Sequence, residues 1–530
     1  MNSIFNLPTR VHVLLSILIG LLMLPIVFFP LGVDQVFFLQ GGEVIAHGGR
    51  MYVDYVDTKS PMIYYLFAGV YAVFGRSEIG VRSFELLWQL TTIAVLIVFL
   101  RRTFRNDIFA YSAAGIYALL YTLPGYALTL EGESLVAPLL VLLLWIQLSQ
   151  KQTMALMVAR GLVCALIIGC KYTFGIVIVA VLLYDVFSGT WSWRQLLRRS
   201  GASCLGLIAG LGVIFSPLID STTLAGFLEV GNFTKAYADI PRLSTDLIQV
   251  ILKTTAEYFA DKISLSVLGL IFVGVMVSDR KGLPETTANR LRSVQVMSIL
   301  LGVVLLVSVV VERKCIFYHY SRLSVPMAIS AGLGMMLVYQ WLHLHWKALV
   351  FSRKVLIVLA FGTALVFSPF MRWLKYAPLP VKYALGGERY RAHLVSMSDP
   401  EYSPLTPGAI RDLLYTSDAP PSPTNRIFVM GLNANVVSYT LNQTPICKVN
   451  STACYYGIGS PKAWKDEMWK EVKQAGWLVI EYTDRGYIIN GHHRTTWESV
   501  QQDHELKDYL RANFDSTATI GGYYLYKRRK

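Results

Sequence analysis

A carboxylate, Asp34, stands just beyond the first hydrophobic run of this chain. Asp54, Asp57 and Lys59 follow in the stretch Tyr52-Val-Asp-Tyr-Val-Asp-Thr-Lys-Ser-Pro. A carboxylate can take a proton from a hydroxyl, and a cation can hold a phosphate. The two collected at a membrane surface are what chemistry on a lipid-linked phosphate requires. Ionisable groups close to a bilayer core are costly, so a cluster of them marks a candidate site.

The elements that must position these residues are hydrophobic. The chain has 530 residues, 54% of them hydrophobic and 15% charged, and its mean hydropathy is +0.47. A soluble domain carries about 25% charged residues, so this is a polytopic membrane protein. The net charge is +14, yet the cations sit between apolar runs. Arg101, Arg102, Arg105, Arg194, Arg198, Arg199, Arg280, Lys281, Arg290, Arg292, Arg353 and Lys354 occupy short loops on one expected side. That is the positive-inside bias, which orients membrane helices, and it argues against a nucleic-acid partner.

A membrane-crossing helix needs about 20 mostly apolar residues. The apolar runs place spans at 11–30, 79–100, 108–124, 129–149, 155–170, 173–188, 202–219, 263–278, 293–311, 322–341 and 352–369, which makes about 11 transmembrane helices. Lys171 and Gly175 interrupt one pair. With Arg10 cytoplasmic, the alternation puts loops 31–78, 220–262 and 312–321 outside, together with everything after residue 370. The acids Asp34, Glu43, Asp54, Asp57, Glu78, Asp220, Glu229, Asp239, Asp246 and Glu257 fall in those outer loops. Stretches 36–45 and 62–74 are apolar and aromatic but short, and suit helices lying at the interface. The first apolar run lacks a clear cleavage site and reads as a retained helix.

Residues 371–530 change character. The Pro-rich stretch at 419–423 leads to a strand at Arg426–Gly431. Ser460-Pro461 opens a helix with Trp464, Met468 and Val472 on one face. Strands at Trp477–Tyr482 and Gly522–Tyr526 flank a helix over 503–514. The alternation predicts a small α/β domain. The organisation is thus 1–370, mostly α and membrane-embedded, and 371–530, α/β and periplasmic. Cys447 and Cys454 fall in that part, either bridged or as two thiols; no zinc spacing is present.

The chain resembles the bacterial lipid-linked-sugar glycosyltransferases of the GT-C fold, near the protein O-mannosyltransferases and lipid A aminoarabinose transferases (glycosyltransferase family 39). The resemblance rests on four stretches. They are Asp34 after the first span; Gly49 to Leu66 with Lys59, then Phe74-Gly75 and Arg82; Phe317-Tyr-His-Tyr with Pro326; and Ile427-Phe-Val-Met-Gly with Tyr439. The family often has Asp-Glu where this chain has Asp34-Gln35, a double proline where it has Ser60-Pro61, and an acid where it has Thr58.

The resemblance implies an enzyme of the cytoplasmic (inner) membrane of a bacterium. It would transfer a hexosyl or pentosyl group from a polyprenyl-phosphate-linked sugar donor to an acceptor hydroxyl of the cell envelope, on lipid, glycan or protein. Asp34 would be the general base. Lys59, with Arg242, Arg313 and Lys314 and also Lys171, would stabilise the leaving phosphate. The departures leave any divalent-metal role open. The residues themselves allow plainer readings. Asp34 could be a solvated helix end, Lys59 an interface lysine, Asp54 and Asp57 loop acids, and His319 a structural histidine. Glu131 and Glu133 could bind acceptor or metal, or face water. A transporter or flippase of a lipid-linked saccharide would use the same charges without breaking a bond. It predicts repeat symmetry and charges deep in the spans, and neither is visible. A non-catalytic assembly protein would leave Asp34 and Lys59 unexplained.

Overall fold

The structure is a computed structural model that describes residues 7–122, 125–126, 129–187, 192–238, 247–260, 267–272, 285–312, 317–348, 350–366, 373–374, 376–387, 405–422, 424–443, 448–449, 451–484 and 494–529. The chain divides into two compact units. The first is Met1–Phe29, Arg82–Ile214 and Ile248–Leu385; the second is Pro30–Val81, Phe215–Leu247 and Gly386–Lys530.

The first unit is helical. Its elements are Thr9–Met23, most of Glu78–Phe104, Asp107–Thr122, Gly132–Leu135, Ala137–Gln147, Met154–Cys170, Val177–Phe187, Trp193–Ile214, most of Leu247–Ala260, Glu285–Val311, Ser324–His345, Phe351–Val366 and Leu379–Gly386. All the expected spans are helical over most of their described length. Of 263–278 only 267–272 is described, as helix. By length and apolarity, five described helices can cross a membrane: Thr9–Phe28, Glu78–Phe104, Trp193–Ile214, Ala288–Val311 and Tyr318–His345. Several other expected spans are divided. Lys171 is extended at φ −162° and separates Met154–Cys170 from a 3-10 turn at Tyr172–Ile176.

Hydrophobic residues such as Val13, Leu14, Ile17 and Leu21 stay exposed on the first helix, as a lipid-facing surface requires. Charges turn inward and pair. Arg160 donates to Asp185 at 2.7 Å and to Gln147 at 2.8 Å. Arg82, fully buried, pairs with Glu85 at 2.5 Å. Met154–Cys170 and Trp193–Ile214 touch backbone to backbone: a Cβ on Gly206 would sit 2.0 Å from Val158 O. Small residues at such contacts are how membrane helices pack closely.

The second unit gathers the stretches 31–78 and 220–247 that the sequence presents as outer loops, together with the C-terminal segment; 248–262 and 312–321 belong to the first unit. Stretches 36–45 and 62–74 lie within the helices Val33–Ala46 and Pro61–Phe74, which pack on each other through Val36, Phe38, Leu39, Ile63, Tyr64 and Phe67. The loop expected at 220–262 contains the helices Ser221–Ala238 and Leu247–Ala260. Asp220 caps the first, accepting from Thr223 N and Oγ1 at 2.9 and 2.7 Å. Those bonds, with Arg50 nearby, hold its carboxyl below the usual range.

The C-terminal segment forms a four-stranded sheet ordered β1-β2-β4-β3, with β1 Ile427–Met430, β2 Trp477–Glu481, β3 Phe514–Ile520 and β4 Tyr523–Arg528. β1 and β2 are parallel; β2/β4 and β3/β4 are antiparallel. Its core holds Ile410, Leu414, Val429, Val437, Leu441, Trp477, Val479 and Leu525. β3 and β4 turn through Gly521 and Gly522 at φ 49° and 91°, the left-handed pair that a two-residue hairpin demands. The Lys462–Gln474 helix begins after Pro461, which takes the N-cap position expected for Ser460, and buries Trp464, Met468 and Val472. Cys454 is a free thiol, pushed up to about 12 by burial; Cys447 lies outside the described residues.

Candidate active site

Asp34 lies in the first turn of Val33–Ala46. The helix starts there because Gly32 is extended and its amide donates to the Gln35 side chain. Gln35 thus does the capping work that a Glu would do at this position. A carboxylate in the first turn is favoured by the unpaired backbone amides and the helix dipole.

Lys59 meets it from the following loop. Its Nζ donates to Asp34 Oδ1 at 2.9 Å and lies 3.7 Å from Asp57 Oδ2. The side chains are 27%, 23% and 13% exposed for Lys59, Asp34 and Asp57, so the cluster reaches solvent without being surface decoration. The loop is pinned by aromatic hydroxyls. Tyr52 donates to Lys59 O at 2.8 Å, Tyr55 to Phe37 O at 2.8 Å, and Tyr64 to Asp57 Oδ2. Burial first, and Asp57 second, push the Tyr64 phenol well above its ordinary value, so it stays a donor. Lys59 Nζ also lies 5.1 Å from the Phe38 ring centre, within cation–π range.

The two helices that carry these groups pack closely. A Cβ on Gly42 would sit 2.5 Å from the Phe67 backbone. Asp54 is apart from the cluster: it accepts from Arg50 N at 2.8 Å and lies 3.6 Å from the Arg50 guanidinium, half exposed. That is a loop acid.

A second charged cluster lies in the first unit. Lys171 Nζ binds Glu133 at 2.7 Å and Glu312 at 2.8 Å. Arg322, buried, binds the same two carboxylates at 2.7 and 2.8 Å and donates to Ser308 Oγ at 2.5 Å. His319 Nδ1 lies 3.1 Å from Glu312. The extended break at Lys171 aims this lysine at Glu133. Glu131 is buried beside it, its amide donating to Ser134 Oγ at 2.8 Å at the start of a short helix.

The donor atoms of Glu133, Glu312 and His319 lie within 4.8 Å of one another, close enough for a metal ion. Both carboxylates already hold two cations each, so a resident dication would have to displace Lys171 or face like charge. As it stands, the donor set does not fit a metal. Arg242, Arg313 and Lys314 lie outside the described residues.

The sequence grouped Asp34, Asp54, Asp57 and Lys59, of which Asp54 lies apart, and offered Glu133, Lys171 and His319 only as separate candidates; Lys171, expected beside Lys59 as a donor-phosphate partner, pairs instead with Glu133 and Glu312 in the first unit. Sequence reasoning missed Tyr64, Glu312 and Arg322. A lone acid and a lone arginine at the ends of apolar runs were the available signal; Tyr64 looks like any interface aromatic.

Residues 58–219 match a family described as dolichyl-phosphate-mannose-protein mannosyltransferase. No curated protein matches the chain in sequence. Among solved structures it is similar to ArnT from Cupriavidus metallidurans bound to undecaprenyl phosphate, with a TM-score of 0.61 over 98% of each chain at 14% identity. The apo state of the same protein gives 0.58, also at 98% coverage of each chain and 14% identity. The chain has a GT-C fold. That is what the resemblance in the Asp34 and Lys59 stretches implied. The family match covers Lys59, Glu131, Glu133 and Lys171 and leaves Asp34 upstream.

Proposed function

We propose that the protein is an integral membrane glycosyltransferase that moves a sugar from a polyprenyl-phosphate donor to an acceptor hydroxyl at the outer face of the cytoplasmic membrane. The observation that carries this reading is the Asp34–Lys59 contact at 2.9 Å, with Asp57 and Tyr64 behind it. The GT-C fold, the mannosyltransferase family match and the undecaprenyl phosphate in the similar ArnT structure support it.

The pair divides the chemistry in two. The donor phosphate takes the Lys59 ammonium, and Asp34 Oδ1 is released to accept a proton. The acceptor hydroxyl loses its proton to Asp34, and its oxygen bonds to the anomeric carbon. The bond from that carbon to the phosphate oxygen breaks, and the electron pair leaves with polyprenyl phosphate. Lys59 offsets the charge that grows on the departing oxygen. Asp57 keeps one anionic partner on Lys59 throughout, so the ammonium never swings free. On this reading the N-terminus is cytoplasmic and the C-terminal segment outside.

The test is product analysis. Purified protein is given polyprenyl-phosphate pentoses and hexoses with membrane-lipid, glycan and peptide acceptors. Appearance of glycosylated acceptor together with polyprenyl phosphate supports the reading. Movement of intact donor across vesicles, with no product from any pair, would replace it with a flippase.

A further inference from the structure

The helix that carries Asp34 is gripped on a second face by a residue far along the chain. Asn435 Nδ2 donates to Val33 O at 2.7 Å, across 402 positions of sequence. Val33 immediately precedes Asp34. Two turns on, the buried Gln40 places its Nε2 3.4 Å from Asn435 O. Asn435 sits near the start of the Ala434–Thr440 helix, and the two ends of that helix are both tied down. At its start, Asn433 donates from its backbone and side chain to Glu481 at 3.1 and 2.8 Å, and Leu432 N donates to Asp484 at 3.0 Å. In its last turn Tyr439 donates to Arg76 O, and just beyond its end Asn442 accepts from Arg76 at 3.1 Å, while Arg76 also donates to Glu43 at 2.8 Å. Glu43 is on the Asp34 helix.

The residue type is informative. Asn435 is 1% exposed, and the neighbours on its helix that face inward are Ala434 and Val437. Its Oδ1 is buried with no hydrogen-bond partner among the described residues. An unpaired buried amide oxygen is costly, so packing alone would favour an aliphatic side chain here. What an aliphatic side chain cannot supply is the donor to Val33 O.

We propose that Asn435 is a positioning residue for Asp34. The C-terminal segment thereby fixes the first turn of the helix, and with it the carboxylate, against Lys59. The catalytic consequence rests on the function proposed above; the brace itself does not.

The experiment uses full-length protein in detergent with Asn435→Leu, which keeps the packing, and Asn435→Asp, which keeps the size and removes the donor. Hydrogen exchange is followed at 36–39, with 427–430 and 477–481 as the control for folding. We expect about tenfold faster exchange at 36–39 in both variants, the loss of one hydrogen bond, and unchanged exchange in the strands. In the transfer assay kcat falls about 10- to 100-fold, as for a misplaced group, while KM for the donor holds because Lys59 is untouched. Unchanged exchange at 36–39 overturns the proposal whatever the turnover. Faster exchange with unaltered kcat also overturns it, because Asp34 would then not depend on the brace. If wild-type protein transfers no sugar, the glycosyltransferase reading fails, and a normal 36–39 exchange rate in the variants separately disposes of the brace.

Discussion

Replacing Glu481 with Gln should stabilise the C-terminal sheet, and only at neutral to alkaline pH. Glu481 ends β2, is 4% exposed, and accepts from Asn433 N and Nδ2. Burial, and then the Asp484 carboxylate, push its pKa from 4.5 to about 7. A raised acid pKa means that the folded state holds its proton more tightly than the unfolded one. Its contribution is therefore fully present below about pH 4.5 and is lost as pH rises through 7. The difference of about 2.5 units corresponds to about 3 kcal/mol lost by pH 8, against less than about 1 kcal/mol at pH 5. Gln keeps a neutral group of the same shape and one acceptor oxygen, which serves one of the two Asn433 donors. Protection of the 427–430 and 477–481 amides, compared between Glu481→Gln and wild type at each pH, should rise by up to about 100-fold at pH 8 and change little at pH 5. Equal ratios at the two pH values, or a loss of protection at pH 8, would refute the reasoning. In that case Glu481 would be a stably ionised partner rather than an acid held neutral.

Three further outcomes follow from the site. Lys59→Ala should weaken donor use more than Lys59→Arg, which retains a cation; donor KM measured for both checks this, and wild-type values for both would reduce Lys59 to an interface anchor. Tyr64→Phe removes the donor to the half-buried Asp57 and should cost about 1–3 kcal/mol of stability, read by thermal unfolding of the purified protein. A reporter enzyme that works only when exported, fused after Lys530, should be active; activity in the cytoplasm instead would mean that the number of membrane crossings is off by one around Lys171.

The sequence carried the hydrophobic architecture because lipid leaves little choice. Runs such as 79–100 and 293–311 have to be helices when no water is present to satisfy the backbone. Asp34 and Lys59 were legible for the same reason: charge beside apolar sequence needs an explanation. Strand β3 was not, since Phe514–Ile520 has one mostly exposed face and follows directly on a helix. The Ser221–Ala238 helix hid behind its mixed polarity, although Asp220 with Thr223 was a readable cap. Glu312 and Arg322 were obscure because their partners, Glu133 and Lys171, are more than a hundred residues away. Asn435 carried no sequence signal at all. A lone Asn in a short helix looks like a surface residue until its contact with Val33 is seen.

The central claim is that Asp34 removes the proton from the acceptor hydroxyl, and Asp34→Asn tests it most directly. The substitution keeps the size and can still accept a hydrogen bond, but it has no basicity. With a donor and acceptor that wild-type protein joins, turnover of the purified variant should fall by about 10²–10⁴-fold, while binding of polyprenyl phosphate through Lys59 persists. Wild-type turnover by a well-folded Asp34→Asn protein would contradict the account.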